Sequence, residues 1–195
     1  MNFKEYQKDI NDNYPKILDE NLLFWALWNV NYAYDIFEKF EKETPDYSKK
    51  IKPIWFFLWS CIENKHVHKV ELEKVYSNFY PIDEEEIGLL NDFYLPHGAI
   101  KQIIIYLDFI YQGLSNNIRF GSNFGEITIQ IMDVIIENES LGYFDDNINT
   151  PLVKNELEAQ TKLIETLTKS QNFTFKDRSI YRDLSQLHYY LNKVE

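Results

Sequence analysis

Apolar side chains recur every three or four residues along almost the whole of this chain, and that spacing narrows its possible folds more than any other feature. Leu22, Trp25, Trp28, Tyr32, Ile36 and Phe40 mark one face of a helix from Asp19, a candidate cap, to about Glu43. Thr44-Pro45-Asp46 ends it, because proline pushes the residue before it out of helical geometry. A second helix is expected from about Ser48 to Glu63, carrying Ile51, Trp55, Leu58, Trp59 and Ile62. Pro53 would then sit near its first turn, where no interior hydrogen bond is lost. A third covers about His68 to Asn78. Pro81-Ile82-Asp83 opens a brief one, with Asp83 as cap and Glu86 completing a capping box at the positive end of the dipole.

Leu95-Pro96-His97 begins the most apolar segment, about His97 to Leu114, in which Ile100, Ile103, Ile104, Leu107, Ile110, Tyr111 and Leu114 cover more than one face. Such a helix is expected at the centre, surrounded by the others. A further helix spans about Phe124 to Glu139. Leu141 to Asn149 is a loop rich in Asp and Asn, and Thr150-Pro151 reads as a cap with proline at the first helical position. The helix after it runs to about Thr168, Phe173 to Phe175 is a linker, and Leu184, Leu187 and Leu191 belong to a last helix. Six Gly and six Pro in 195 residues are few for a turn-rich sandwich or barrel, and no strand pair stands out. The expected fold is all-α: one bundle-like domain over residues 1–195, of seven or eight helices, with 97–114 central.

The densest apolar runs, Ile54 to Ile62 and Ile103 to Ile110, are too short or too interrupted to span a bilayer. Met1 to Asp12 alternates charges and has no apolar signal core. A single cysteine, Cys61, excludes an internal disulfide and suits a reducing cytoplasm, the expected location.

Catalytic and metal-binding patterns are weak. His66 and His68 point apart on a helix and lack partners at ligand spacing, so solvated helix-entry histidines are expected. His97 is placed to cap a helix and His188 to border an apolar stripe. Cys61 has no base beside it in sequence and reads as a small buried hydrophobe. Gly121, Gly125 and Gly142 are spaced like loop punctuation, not like a phosphate loop. Glu156 and Gln160, one turn apart, and Glu126, beside Thr128 and Gln130, are the serious enzymatic alternative. No Glu-x-x-His accompanies them, and a polar pair bonding across a helix contact is the simpler expectation. Trp25, Trp28 and Tyr32 lack the basic flanks of a base-stacking platform. Neither catalysis nor a cofactor or metal is expected.

The charge is more informative. The net charge is −11, and it resides in two stretches without Lys or Arg, between Lys74 and Lys101 and between Arg119 and Lys154, which hold five and six acids respectively. A localised negative field repels nucleic acid and acidic membranes and steers a cationic partner inward. Asp83, Glu84, Glu85, Glu86, Asp92, Glu137, Glu139, Asp145 and Asp146 are the expected partner-binding acids. Tyr143 and Phe144, lying within the second stretch, are the expected anchors, because binding energy concentrates on large side chains in desolvated pockets.

One block carries a family likeness: Ala33, Ile36-Phe37, Phe40-Glu41, Lys42-Glu43-Thr44, Pro45-Asp46, then Pro53-Ile54 and Trp59. It resembles the signature of the all-helical immunity proteins of bacterial polymorphic toxin systems, the fifth of the immunity families. Lys49-Lys50 stands where that family has Arg-Pro. Glu156-Leu157-Glu158-Ala159-Gln160 is similar to a Glu-x-x-Trp-Gln element, with Ala159 for Trp. With Pro151-Leu152-Val153 before it, the same segment is also similar to the uncharacterised YjaG-like helical proteins, whose Glu-Arg is replaced here by Trp28-Asn29. The first resemblance implies a protein that neutralises a cognate toxin, often a nuclease, whose basic surface an acidic face would meet. The second implies an intracellular helical protein of unknown activity, conceivable as a small-ligand binder.

Overall fold

The computed structural model describes residues 3–79, 88, 90, 94–138 and 150–193, with the backbone alone for residues 3, 4, 133–138, 186, 190 and 193. Among these residues there are eight α-helices and no strand: α1 (Phe3–Asn13), α2 (Leu22–Lys39), α3 (Pro45–Asn64), α4 (Lys69–Phe79), α5 (Leu95–Asn116), α6 (Phe124–Asn138), α7 (Pro151–Leu167) and α8 (Leu184–Lys193). The all-α expectation holds. The opening of the brief helix expected at Pro81-Ile82-Asp83 and the loop at 141–149 lie outside the described residues.

The helix at 97–114, α5, packs against α2, α3, α4 and α6, and α2 beside it is enclosed more completely still. Every residue from Leu22 to Tyr34 is buried, because no charged side chain occurs before Asp35 and apolar residues surround the helix on all sides. Its two interior asparagines bond along the helix through their amide nitrogens, Asn29 Nδ2 to the Trp25 carbonyl (2.9 Å) and Asn31 Nδ2 to Asp35 Oδ2 (3.0 Å), while their buried side-chain oxygens accept no hydrogen bond among the described residues. α5 packs along α2 with Ala99, Ile100, Ile103, Leu107 and Ile110, but Phe109 is 46% exposed and Gln112 and Lys101 face outward. Polar residues at helical spacing thus give α5 an outer face that α2 lacks.

The ends of the helices depart from expectation in instructive ways. Asp19 does not cap α2; it opens a 3-10 turn, Asp19–Asn21, and its carboxylate pairs with Arg119. α2 ends at Lys39, and a second 3-10 turn, Glu41–Glu43, leads to Thr44. α3 starts at Pro45 instead of Ser48, since proline suits the first helical position, and so Pro53 lies in the helix interior. There it is exposed, and the Lys49 carbonyl that loses its partner is on the solvent side. Lys65 (φ 51°) and Asn117 (φ 54°) close α3 and α5 in the left-handed conformation. Thr150 caps α7 as expected, its side chain accepting the Val153 N–H. The 173–175 linker is more than a connector: Phe173 stacks on Phe24 (3.9 Å between centroids), and Phe175 begins a 3-10 turn closed by a Thr174–Asp177 capping box.

α5 and α6 form an antiparallel pair. The Tyr106 and Phe124 rings lie 5.1 Å apart, and Ala99 and Ile131 line one shared crevice seven residues away in each direction. Continuing that register brings Ile135, in the last turn of α6, level with Leu95 at the start of α5.

Candidate functional site

Beneath α2, five segments of chain meet in a buried polar cluster built around one arginine. Arg182 precedes α8, and both its side chain and that of Glu156 on α7 are 2% exposed. The guanidinium grips the carboxylate with two bonds, Nε to Oε2 and Nη2 to Oε1, both 2.9 Å. Nη1 donates to the Trp28 carbonyl (2.6 Å) and Nη2 to Thr128 Oγ1 (3.1 Å). The guanidinium carbon stands 3.4 Å from the Trp28 ring centroid and 5.5 Å from that of Tyr32. This planar, forked geometry is what arginine offers and lysine does not.

The cluster continues through Gln160. Its Nε2 donates to Glu156 Oε1 and to the Gly125 carbonyl (2.9 Å each), and its Oε1 accepts from Tyr6 Oη (2.6 Å). Burial, with the charges of Glu156 and Glu126 behind it, pushes the Tyr6 hydroxyl far above the ordinary tyrosine range, so it stays a donor. Gly125 is required by close approach: a Cβ there would sit 2.6 Å from Tyr6 Oη and 2.7 Å from Gln160 Oε1. It is therefore not loop punctuation but the point where α6 lies against the polar pair. Glu126 is separate from the cluster and accepts from Gln7 Nε2 at 3.0 Å.

The expected pairing of Glu156 with Gln160 is present, with a third member the sequence did not indicate. Arg182 lies outside any apolar periodicity, and nothing in its neighbourhood distinguishes it from Arg178. Chemically the cluster is occupied. The cavity bordered by Tyr32, Met132, Glu156, Arg182 and Leu184 measures about 10 Å³, the size of one water, so Glu156 has no room for a substrate.

A larger concavity lies elsewhere, a surface groove of about 610 Å³ floored by Leu22, Phe24, Cys61, Ile62, Leu114 and Phe173. Cys61 is buried as expected, and burial pushes its thiol up to about 11, the wrong direction for a nucleophile. His66 and His68 are exposed at the entry to α4, their rings 4.3 Å apart. Among the described residues no cluster of three or more His, Cys, Asp or Glu could hold a metal. His97, in the first turn of α5, packs its ring on Tyr94 at 4.9 Å, and His188 is exposed on α8. Trp25 and Trp28 are fully enclosed, as core packing requires.

The expected partner-binding residues Asp83, Glu84, Glu85, Glu86, Asp92, Glu139, Tyr143, Phe144, Asp145 and Asp146 lie outside the described residues. Glu137 lies in the last turn of α6, where only the backbone is described. Among the described residues no helix is long and apolar enough to cross a membrane.

No family model, curated protein or solved structure matches this chain. Fold and site together define an all-helical, multi-helix domain whose C-terminal segment is clasped to the core through one buried arginine.

Proposed function

We propose that this chain is an immunity protein: a cytoplasmic helical domain that binds and neutralises a cognate bacterial toxin, a nuclease in the first instance, through an acidic face. One observation carries the reading. All of the net charge lies in two stretches without bases: the five acids of the first fall between Phe79 and Leu95, just before α5, and four of the six in the second fall from Glu137 onward, in the last turn of α6 or after it, while Glu126 and Asp133 lie within α6. Acids that enter from one end of a helical pair have a short route to a common surface. A nuclease holds phosphates in a cationic cleft, and a concentrated negative field answers it, raising the association rate and setting its salt dependence. The unpaired cysteine suits a reducing compartment.

The test is co-expression with the toxin domain encoded beside this chain, followed by association kinetics for the purified pair. Growth should be restored. Reversing Asp83, Glu84, Glu85 and Glu86 to lysine should slow association by about tenfold or more at low salt and flatten its salt dependence. Unchanged kinetics would remove the acidic-face reading.

A second reading, a YjaG-like small-ligand binder, is favoured by the groove over Cys61, whose volume falls within the usual range for ligand sites. It is distinguished by a ligand that protects Cys61 from a small neutral thiol reagent.

A further inference from the structure

The segment 174–183 lies across α2 as a strap, and its hold on the body is uneven. At one end Phe175 packs its ring 5.6 Å from Trp59, and its N–H donates to Glu63 (3.0 Å). At the other end Arg182 enters the polar cluster. Between Phe173 and Leu187 no other described side chain is fully buried; the rest are half-buried or exposed. Between the two ends the strap is held by polar contacts, Trp28 Nε1 to the Ile180 carbonyl (3.0 Å), Asn31 Nδ2 to Ser179 Oγ (3.4 Å) and the Thr166 and Tyr181 hydroxyls (2.8 Å), and by the half-buried side chain of Ile180 against the core. Tyr181 takes up a left-handed backbone, φ 69°, in the residue just before the arginine that is turned inward. A bulky side chain in that conformation is strained, and the clasp beside it holds it there.

The surface under the strap is not ordinary core. It presents the ring of Trp28, the ring of Tyr32, the carboxylate of Glu156, the Thr128 hydroxyl and the Trp28 carbonyl, all within one cleft between α2, α6 and α7. Carboxylate in the plane and aromatic ring on the face are the two interactions by which proteins recognise guanidinium groups. The apolar core, meanwhile, is drawn almost entirely from α1 to α7, and beyond Leu167 it takes in, among the described residues, only Phe173, Leu187 and Leu191 as buried members.

We infer that this cleft is a guanidinium-binding site filled in cis by Arg182, and that the strap opens without unfolding the helical body, so that an arginine-bearing ligand can take its place. The inference does not depend on the acidic-face reading. The ligand class follows from the donor and acceptor pattern: a planar cation that offers two parallel N–H groups to one carboxylate and a flat face to an indole.

Two measurements decide it. In the unaltered chain, hydrogen exchange at the Asp177, Ile180 and Arg182 amides, all hydrogen-bonded within the strap, should proceed by a local opening and run about 100-fold or more faster than the interior amides of α2. Exchange only through global unfolding, at the α2 rate, would overturn the proposal. In Arg182→Ala, millimolar ethylguanidinium should raise the melting temperature by about 4 °C or more. Ethylammonium at the same ionic strength should not, and adding Glu156→Gln should abolish the effect. A folded R182A protein that responds equally to both cations overturns the assignment of the cleft, and an R182A protein that fails to fold with or without ethylguanidinium overturns the independence of the body.

Discussion

Arg182 and Glu156 are charges taken almost entirely out of water, and their desolvation is offset only because each is matched in geometry and the remaining donors find Thr128 and the Trp28 carbonyl. Removing one partner is therefore expected to hurt far more than removing a surface ion pair. Glu156→Gln should destabilise the fold by about 3–5 kcal/mol in urea titrations, because it leaves a buried guanidinium without its counter-charge. In the double variant with Arg182→Met the combined loss should fall short of the sum of the singles by about 1 kcal/mol or more. Additive losses would mean the two side chains do not act as a unit.

Asp35 supplies a pH signature at the same scale. Burial lifts its carboxyl to about 6, against the pull of Arg182 and Arg178; Glu38 adds to the lift and His188 opposes it. Because the folded value lies above the unfolded one, the folded state holds its proton longer. The stabilisation it brings is full below about pH 4 and is lost as pH rises through 6. From this group alone the protein should lose on the order of 2–3 kcal/mol between pH 4 and pH 7. Asp35→Asn should flatten that slope, measured as the difference in urea midpoint between the two pH values; an unaltered slope would place the titration elsewhere.

Among the elements, α3 contains a built-in weakness. Pro53 leaves the Lys49 carbonyl without its helical partner, but both residues are exposed and water can replace the bond. Pro53→Ala should restore the bond and the helix propensity, less the chain stiffness that proline supplies, for a net gain of about 1–2 kcal/mol by thermal unfolding. A loss would show that the backbone geometry Pro53 imposes is needed for the Trp55 and Trp59 packing. The same helix shows how far element boundaries can be read. Thr44-Pro45 was legible as a break, but a break and a helix start look alike when proline occupies the first position. α1 escaped notice for a different reason: Tyr6 and Ile10 are buried at a four-residue spacing, and the charged residues around them hide so short a stripe. The caps were clearer where a side chain does the work, as at Thr150, and misleading at Asp19, whose carboxylate is taken by an arginine 100 positions away.

At the scale of the whole molecule, one apolar core takes buried residues from all eight helices, with the four tryptophans inside it. Tryptophan fluorescence and far-ultraviolet circular dichroism should therefore report coincident transitions in urea. Two separated midpoints would point to units that fold independently. The charge distribution belongs to this scale as well. It was visible as two base-free stretches, yet only the antiparallel register of α5 and α6 sets the start of α5 beside the last turn of α6, the two points that nine of the eleven acids adjoin in sequence.

What the residues determined alone is whatever follows from local spacing: the helical class, most helix positions, the burial of Cys61 and of the tryptophans, and where the charge lies along the chain. These depend on periods of three to four residues and on composition, which act over one or two turns. The polar cluster was decided only by tertiary structure. Glu156 and Gln160 could be seen as a pair because they are one turn apart, but Arg182, Tyr6, Gly125 and the Trp28 carbonyl come from four other segments, up to 154 positions distant. A guanidinium has no preferred sequence neighbour. It is placed by the few carboxylates left inside once the apolar surfaces have closed, and that choice exists only after the helices have packed.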